Sequence, residues 1–533
     1  MLRTGFETKL NALFKSIRNG FLCILIIFML MGNVIGVPGA TWQSKVDKWV
    51  MNEASITEKT EAEFLVYLDE QADLSGAAQL RTKVDKGRFV YESLTSVAAR
   101  TQGSVLEDLE ARGVEHRSYW IANMIWVRGN IDLIEMMARR PEVARIYSNP
   151  RVKLQEPVAE LSSVYTLSDG VEWNIALVNA DDVWAMGNTG EGVVIGGQDT
   201  GYDWDHPALI NQYRGWDGSK ADHNYNWHDA IHGDDPHTPA GNPCGFDSEV
   251  PCDDNSHGTH TMGIMVGDDG AGNQIGMAPG AKWVSCRNME EGWGTPQTYI
   301  ECYQWFLAPT DLKGKNPRPD LAPHIINNSW SCPIEEGCTD PNVLLTVVEN
   351  LRAAGILSAH SAGNSGSDST LGCSTVNTPA AIYDASLTVG NTMWDEINGD
   401  RINPSSSRGP VTVDGSGRLK PDVSAPGTGI RSCIPGGAYT VKGGTSMAAP
   451  HVAGLAALVI SAQPQLAGQA DWLEKIILEN AVPITTTQVC GGDTADQVPN
   501  NVYGWGRIDA LKAVTNIPDL NYYTYLPITL NNP

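Results

Sequence analysis

Apolar residues follow two spacings along this chain. From Gly192 onward, short unbroken apolar runs recur: Val193 to Gly197, Lys282 to Cys286, His324 to Asn328, Ile356 to Ala362 and Ala385 to Gly390. Segments at helical spacing lie between them, near Gly258 to Val266, Thr295 to Phe306 and Val343 to Ala354. An unbroken run has no polar face to turn to water, so each predicts a strand buried on both sides. Strands alternating with helices predict an α/β domain, a parallel sheet with helices on both faces. Ligands bind such sheets at the C-terminal strand ends.

A smaller pattern precedes it. Glu63 to Leu68 predicts a strand, Phe89 to Arg112 a helix, and Glu115 to Tyr119 with Asn123 to Val127 a hairpin. Asn130 to Arg140 predicts a second helix and Val143 to Ser148 a closing strand. The order β-α-β-β-α-β is that of a ferredoxin-like α+β module. Residues 41–61 are polar and predict a poorly ordered leader. Asn149 to Asp169 predicts a linker, and Trp173 to Met186 a helix.

Charge removes one class of function. The net charge is -25, whereas nucleic-acid binding needs a basic face. At the N-terminus Arg3, Lys9, Lys15 and Arg18 precede the apolar run Phe21 to Met31. That run is short for a bilayer span, so residues 1–40 predict an export signal cut between Gly36 and Ala40. Of ten cysteines, Cys23 lies in this signal. In an exported chain the other nine predict disulfides. Cys244 with Cys252, and Cys332 with Cys338, are close across turn residues; Cys286 with Cys302 is a third pairing. An odd number leaves one thiol over, and Cys433 is the candidate. No pair has the C-x-x-C spacing of a zinc site.

Four stretches carry candidate chemistry. Gly443-Gly444-Thr445-Ser446-Met447-Ala448 precedes an apolar run, which presents Ser446 at a helix N-terminus, where free N–H groups favour a developing oxyanion. A bare helix cap is the plain alternative. The run Val193 to Gly197 leads to Asp199-Thr200-Gly201, an aspartate placed to orient a histidine, or an ordinary strand-end turn. His257-Gly258-Thr259-His260 opens a helix; as a metal pair it lacks the glutamate that zinc hydrolases place between two histidines. Asn364, in Ala362-Gly363-Asn364, can donate to an oxyanion from its turn, or be an Asn-Gly-type loop.

In the order Asp199, His257, Asn364, Ser446, these motifs resemble the subtilisin-like serine peptidases, the subtilase family, over about residues 170–515. Subtilisin is a standard worked case of this chain order. Ile325-Ile326-Asn327-Asn328-Ser329-Trp330 and Tyr503-Gly504-Trp505-Gly506-Arg507 look most like the bacillopeptidase F type.

The resemblance implies a serine endopeptidase. Ser446 attacks the peptide carbonyl, His257 moves the proton, Asp199 holds the imidazole, and Asn364 with the Ser446 N–H stabilises the oxyanion. It implies that substrate pairs with strands near Ser329-Trp330-Ser331 and Ser358 to Gly363. It makes residues 62–155 an inhibitory propeptide and folding aid, cut off within Val152 to Leu167, ahead of a peptidase domain at 165–515 and a short tail at 516–533. The chemistry needs no cofactor. Calcium would be structural; Ala208 stands where many members carry an aspartate ligand, leaving Asp268-Asp269 and the acids of segment 210–254, itself either a frame for the substrate cleft or, as the favoured reading, a disulfide-stapled surface loop. The product would be secreted and monomeric, with no membrane span once the signal is removed, acting on protein and peptide substrates at neutral to alkaline pH. A catalytically silent scaffold and an esterase with a convergent triad are the rival classes; the Gly-x-Ser-x-Gly elbow of the latter is absent.

Overall fold

The computed structural model describes residues 42–56, 61–155, 170–238, 241–368, 372–395 and 397–518. The expected signal, residues 156–169 of the expected linker, and the tail from 519 lie outside the described residues. The chain divides into a unit ending at Lys45, described only for the turn Trp42–Lys45, and a unit from Val46 onward.

Its N-terminal module contains α1 (Lys48–Ile56), β1 (Ala62–Leu68), α2 (Lys83–Thr101), α3 (Gly103–Ala111), β2 (His116–Tyr119), β3 (Met124–Gly129), α4 (Ile131–Arg139) and β4 (Val143–Ser148). The antiparallel sheet runs β2-β3-β1-β4, the order the β-α-β-β-α-β pattern predicts. Two details differ from the sequence reading. The expected leader contains α1, because Val46 and Val50 have an apolar site to fill against this module. The single helix expected over 89–112 is two, broken at Gln102, whose buried amide donates to Tyr119 O (3.1 Å) and Asn123 Oδ1 (3.0 Å).

The larger part is the predicted α/β layer structure. Its strands are β6 (Val194–Asp199), β7 (Trp227–Asp229), β8 (Lys282–Arg287), β11 (Ile325–Asn328), β12 (Leu357–Ser361), β13 (Leu387–Asp395), β14 (Gly399–Ile402) and β15 (Val423–Pro426). The order is β14-β13-β12-β11-β6-β8-β7, with β15 beside β13, and every pairing is parallel except β13 with β14. One face is covered by α7 (His257–Val266) and α10 (Thr445–Ala462). Helix α8 (Pro296–Leu307) and α9 (Leu345–Ala353) pack with the apolar cluster that also takes in Leu65, Tyr67 and Trp126 of the N-terminal module. By length and composition α10 alone among the described helices is apolar enough to cross a membrane, but 89% of that stretch is buried inside the protein.

Segment 210–254 is more than a surface loop. It supplies the edge strand β7, and its acids compensate a fully buried cation. Arg287 donates to Asp254 (2.6 Å), Asn242 Oδ1 (2.7 Å), Gly245 O (3.1 Å) and Asp229 (3.3 Å). An arginine taken out of water needs this many acceptors. The three expected disulfides are present, joined by Cys373–Cys490, and Cys433 is a buried free thiol.

Candidate active site

Two parallel strands, β6 and β12, lead to Asp199 and Asn364, and two helices open with His257 and Ser446. Strand β6 ends at Asp199 and α7 begins at His257. The His257 Nδ1–H donates to Asp199 Oδ1 at 2.8 Å, and both side chains are buried. Two features bring that helix so near. Gly258 admits no side chain, since a Cβ there would lie 2.1 Å from Gly201 O. Asp253, which sequence reasoning passed over, ties the two elements together. Its Oδ1 accepts from Thr200 Oγ1 (2.9 Å), Asn255 N (3.0 Å) and Ser256 N (2.9 Å); its Oδ2 accepts from Thr259 N (3.0 Å) and Oγ1 (2.5 Å). The signal was an aspartate four residues ahead of the histidine, where it can satisfy the free N–H groups of a helix start.

Ser446 is the second residue of α10, after Gly444, whose φ of +135° suits glycine. Pro450 lies within this helix and has no N–H for the Ser446 carbonyl four residues back. Ser329 takes that place: its Oγ donates to Ser446 O at 2.9 Å, and Asn327 Nδ2 donates to Ser329 Oγ at 3.0 Å. The Ser446 hydroxyl in turn donates to Ser329 O at 3.2 Å. Bonding to His257 therefore requires the hydroxyl to leave Ser329 O by rotation about its Cα–Cβ bond.

Asn364 follows β12 in a turn opened by Gly363 (φ +101°). Its Oδ1 accepts from Thr445 N and Thr445 Oγ1, both 3.0 Å, which leaves the amide Nδ2 facing the cleft. There it donates to Gln155 O at 3.1 Å. Gln155 ends the described part of the expected linker. That segment is not free: β5 (Val152–Lys153) pairs antiparallel with β10 (Trp293–Gly294), and Leu154 N donates to Gly292 O at 2.7 Å. Of the two oxyanion donors expected, Asn364 engages this carbonyl and the Ser446 N–H does not.

The expected substrate contacts divide. Ser329, Trp330, Ser331 and Gly363 line the cleft around Leu154 and Gln155. The tail's strand pairing is made by Trp293–Gly294 rather than by Ser329–Ser331. Two residues are too short a run to show as a strand in a sequence. Trp330 stacks on Tyr299 at 4.0 Å between ring centroids and stiffens the wall. The second motif histidine, His260, is structural. Burial holds it well below its usual range, hence neutral, and its Nε2–H donates to Thr440 O at 3.2 Å.

No group of three or more His, Cys, Asp or Glu side chains able to hold a metal occurs among the described residues. The carboxylates of Asp268 and Asp269 accept from Gly270 N, Ala271 N and Asn273 within their own loop, which does not favour calcium there.

The N-terminal module reaches this region through polar contacts on α8 and α9. Tyr119 OH donates to the partly buried Glu301 at 2.6 Å. Trp120 N and Ile121 N donate to Gln304 Oε1 (2.7 and 3.2 Å), and Asn350 Nδ2 donates to Ile121 O (2.6 Å). His228 and His232 each donate to Glu301 Oε1 at 2.9 Å. Burial pushes the Glu301 carboxyl up, but these two histidines hold it well below the usual carboxylate range.

The site thus sets an Asp–His pair at one end of a parallel strand and a serine at the start of a neighbouring helix. The chain belongs to the subtilase family: the description "Subtilase family" matches residues 190–506. It is similar to bacillopeptidase F of Bacillus subtilis (strain 168), 34% identical over 456 residues, 82% of this chain and 29% of that protein. It is similar also to subtilisin E of the same strain, 29% identical over 313 residues, 58% of this chain and 65% of the relative. Serine protease AprX, again of that strain, is 30% identical over 286 residues. The chain thus spans less than two thirds of the length of each of these three relatives.

Proposed function

We propose that this chain is a serine endopeptidase made as a precursor that cuts itself after Gln155. The observation that carries this reading is the hydrogen bond from Asn364 to the Gln155 carbonyl, made while the preceding residues lie paired in the cleft. Ser446 adds to that carbonyl carbon as His257 takes the hydroxyl proton, and Asp199 steadies the charged imidazole. The oxygen, now an anion, keeps its bond from Asn364. The bond to the Glu156 nitrogen breaks, His257 protonates the leaving amine, and water then releases Gln155 from the acyl-enzyme.

On this reading residues 62–155 form an inhibitory propeptide, held by the Tyr119, Gln304 and Asn350 contacts after the cut. Residues 165–515 form the peptidase domain, acting on protein and peptide substrates, with Gly292–Gly294 as the edge to which an extended substrate adds. Strand addition reads main chain, so selectivity comes from pockets. The four disulfides support an exported product.

Intact mass and N-terminal sequencing of the full chain beside Ser446→Ala test this. The wild type should yield a new N-terminus at Glu156, and the variant should stay whole. Identical cleavage of both would assign the cut to another enzyme.

A further inference from the structure

Beside the Gln155 carbonyl opens a cavity of about 320 Å³, lined in part by Gln155 itself. We infer that it is a pocket for the side chain preceding the cut bond, selective for a cation, lysine or arginine, with Glu335 and Asp368 setting that preference. The inference rests on the endopeptidase reading.

Position comes first. Gln155 lines this cavity while its carbonyl is held by Asn364 next to Ser446. The chain's own tail therefore marks which residue of a bound peptide meets it. Composition follows. The wall carries three carboxylates, Glu335, Glu336 and Asp368, with Ser331, Thr375 and Asn377 among its polar groups, and no lysine, arginine or histidine among its described residues. Such a wall repels an acidic side chain and attracts a basic one.

The carboxylates have separate duties. Glu336 Oε2 accepts from Lys153 N at 3.0 Å, so it reads the main chain two residues before Gln155. Glu335 and Asp368 make no side-chain hydrogen bond or ion pair among the described residues, and both are exposed. Burial, with the charge of Glu335 beside it, pushes the Glu336 carboxyl above its usual range, against the opposing pull of the Lys153 N–H and the Lys153 charge. Glu335 and Glu336 are also held in place. They lie on the turn Ile334–Glu336, closed by Cys332–Cys338, and in the precursor Ser148 Oγ donates to Gly337 O at 2.7 Å. Arginine presents a fork that suits a carboxylate, and lysine a point charge. Glutamine can donate to the same oxygens without a charge, which makes it an acceptable but inferior occupant.

The test uses the self-processed full chain and peptides that differ only at the residue before the cut: Arg, Lys, Gln, Leu and Glu. Arg and Lys should exceed Gln in kcat/KM by about tenfold, and Glu by about 100-fold, as exposed charge pairs allow. The Arg-to-Gln ratio should shrink from about 20 mM to about 0.5 M salt as the charges are screened. Glu335→Gln with Asp368→Asn should bring the ratio near one. Glu335→Lys with Asp368→Lys should raise cleavage after Glu above that after Gln, a gain that misfolding cannot mimic. Arg, Gln and Leu within about threefold of one another, or a preference that survives in the neutral double variant, overturns the inference while leaving the endopeptidase reading intact. Absence of any peptide cleavage and of self-processing in the wild type overturns both.

Discussion

Replacing Asp253 should disable the site without unfolding the protein. Asp253→Ala removes five acceptor contacts, three of them to backbone N–H groups, at Asn255, Ser256 and Thr259, on either side of His257. Loss of a helix cap costs about 1–2 kcal/mol, and loss of the charged bonds to hydroxyls a similar amount, some of it regained from water at this half-buried position. A total of about 2–4 kcal/mol follows. A unit of this size gains roughly 1 kcal/mol per kelvin of unfolding entropy, so Tm should fall only about 2–4 °C. The catalytic effect should be larger, because a misplacement of about 1 Å in a reacting group costs about 100-fold. Asp253→Asn is the graded control. It keeps an oxygen for Thr200, Asn255 and Ser256 but cannot accept from Thr259 N, and should lie between the two. The assay is the single-turnover rate at which the precursor is converted, followed by intact mass beside a thermal scan. If Asp253→Ala converts at the wild-type rate with the lower Tm, the residue is only a helix cap, and the argument that it aims His257 is wrong.

Asn364→Ala should slow conversion and peptide turnover by about 100- to 1000-fold with little change in KM, read by the same mass assay and by steady-state kinetics. Tyr119→Phe leaves Glu301 without its 2.6 Å bond from the module; a charge-assisted bond is worth about 1.5–3 kcal/mol. The lag between the self-cut and peptidase activity should therefore shorten by at least about tenfold, as progress curves would reveal. The third concerns pH. Burial pushes His232 down, but its bond to Glu301 and the charge there raise it above its ordinary value. A raised histidine contributes stability fully present below its unfolded value near pH 6.5, and lost as pH rises through the folded one. Denaturation of Ser446→Ala should thus become easier from about pH 6 to about pH 8, and His232→Gln should flatten that slope; an unchanged slope would assign it to other groups.

What could be read from the sequence was whatever chemistry and periodicity make local. The runs ending at Gly197, Cys286 and Asn328 are apolar on both faces, so their strands were evident before any partner was known. Asp199, His257, Asn364 and Ser446 sit in short motifs whose glycines are needed for close approach. Cys332 and Cys338 are six residues apart and could be paired on spacing; Cys373 and Cys490, 117 apart, could not. The features that escaped owe their form to distant partners. Trp293–Gly294 is a strand only because Val152–Lys153 lies beside it. Trp227–Asp229 is a strand only because β8 offers an edge. The acids of segment 210–254 looked like solvated charge until Arg287 was found buried among them.

Pro450 has one further effect. Because it frees the Ser446 carbonyl, the nucleophile is fastened by its backbone to the loop that lines the cleft, through Ser329. A sliding motion of α10 along its axis would strain that link before it moved the serine, and a displacement of the loop would carry the serine with it. Cleft wall and attacking atom thus travel as one body. Thermal fluctuation can change how open the cleft is to a peptide while leaving nearly constant the distance over which the covalent step must occur.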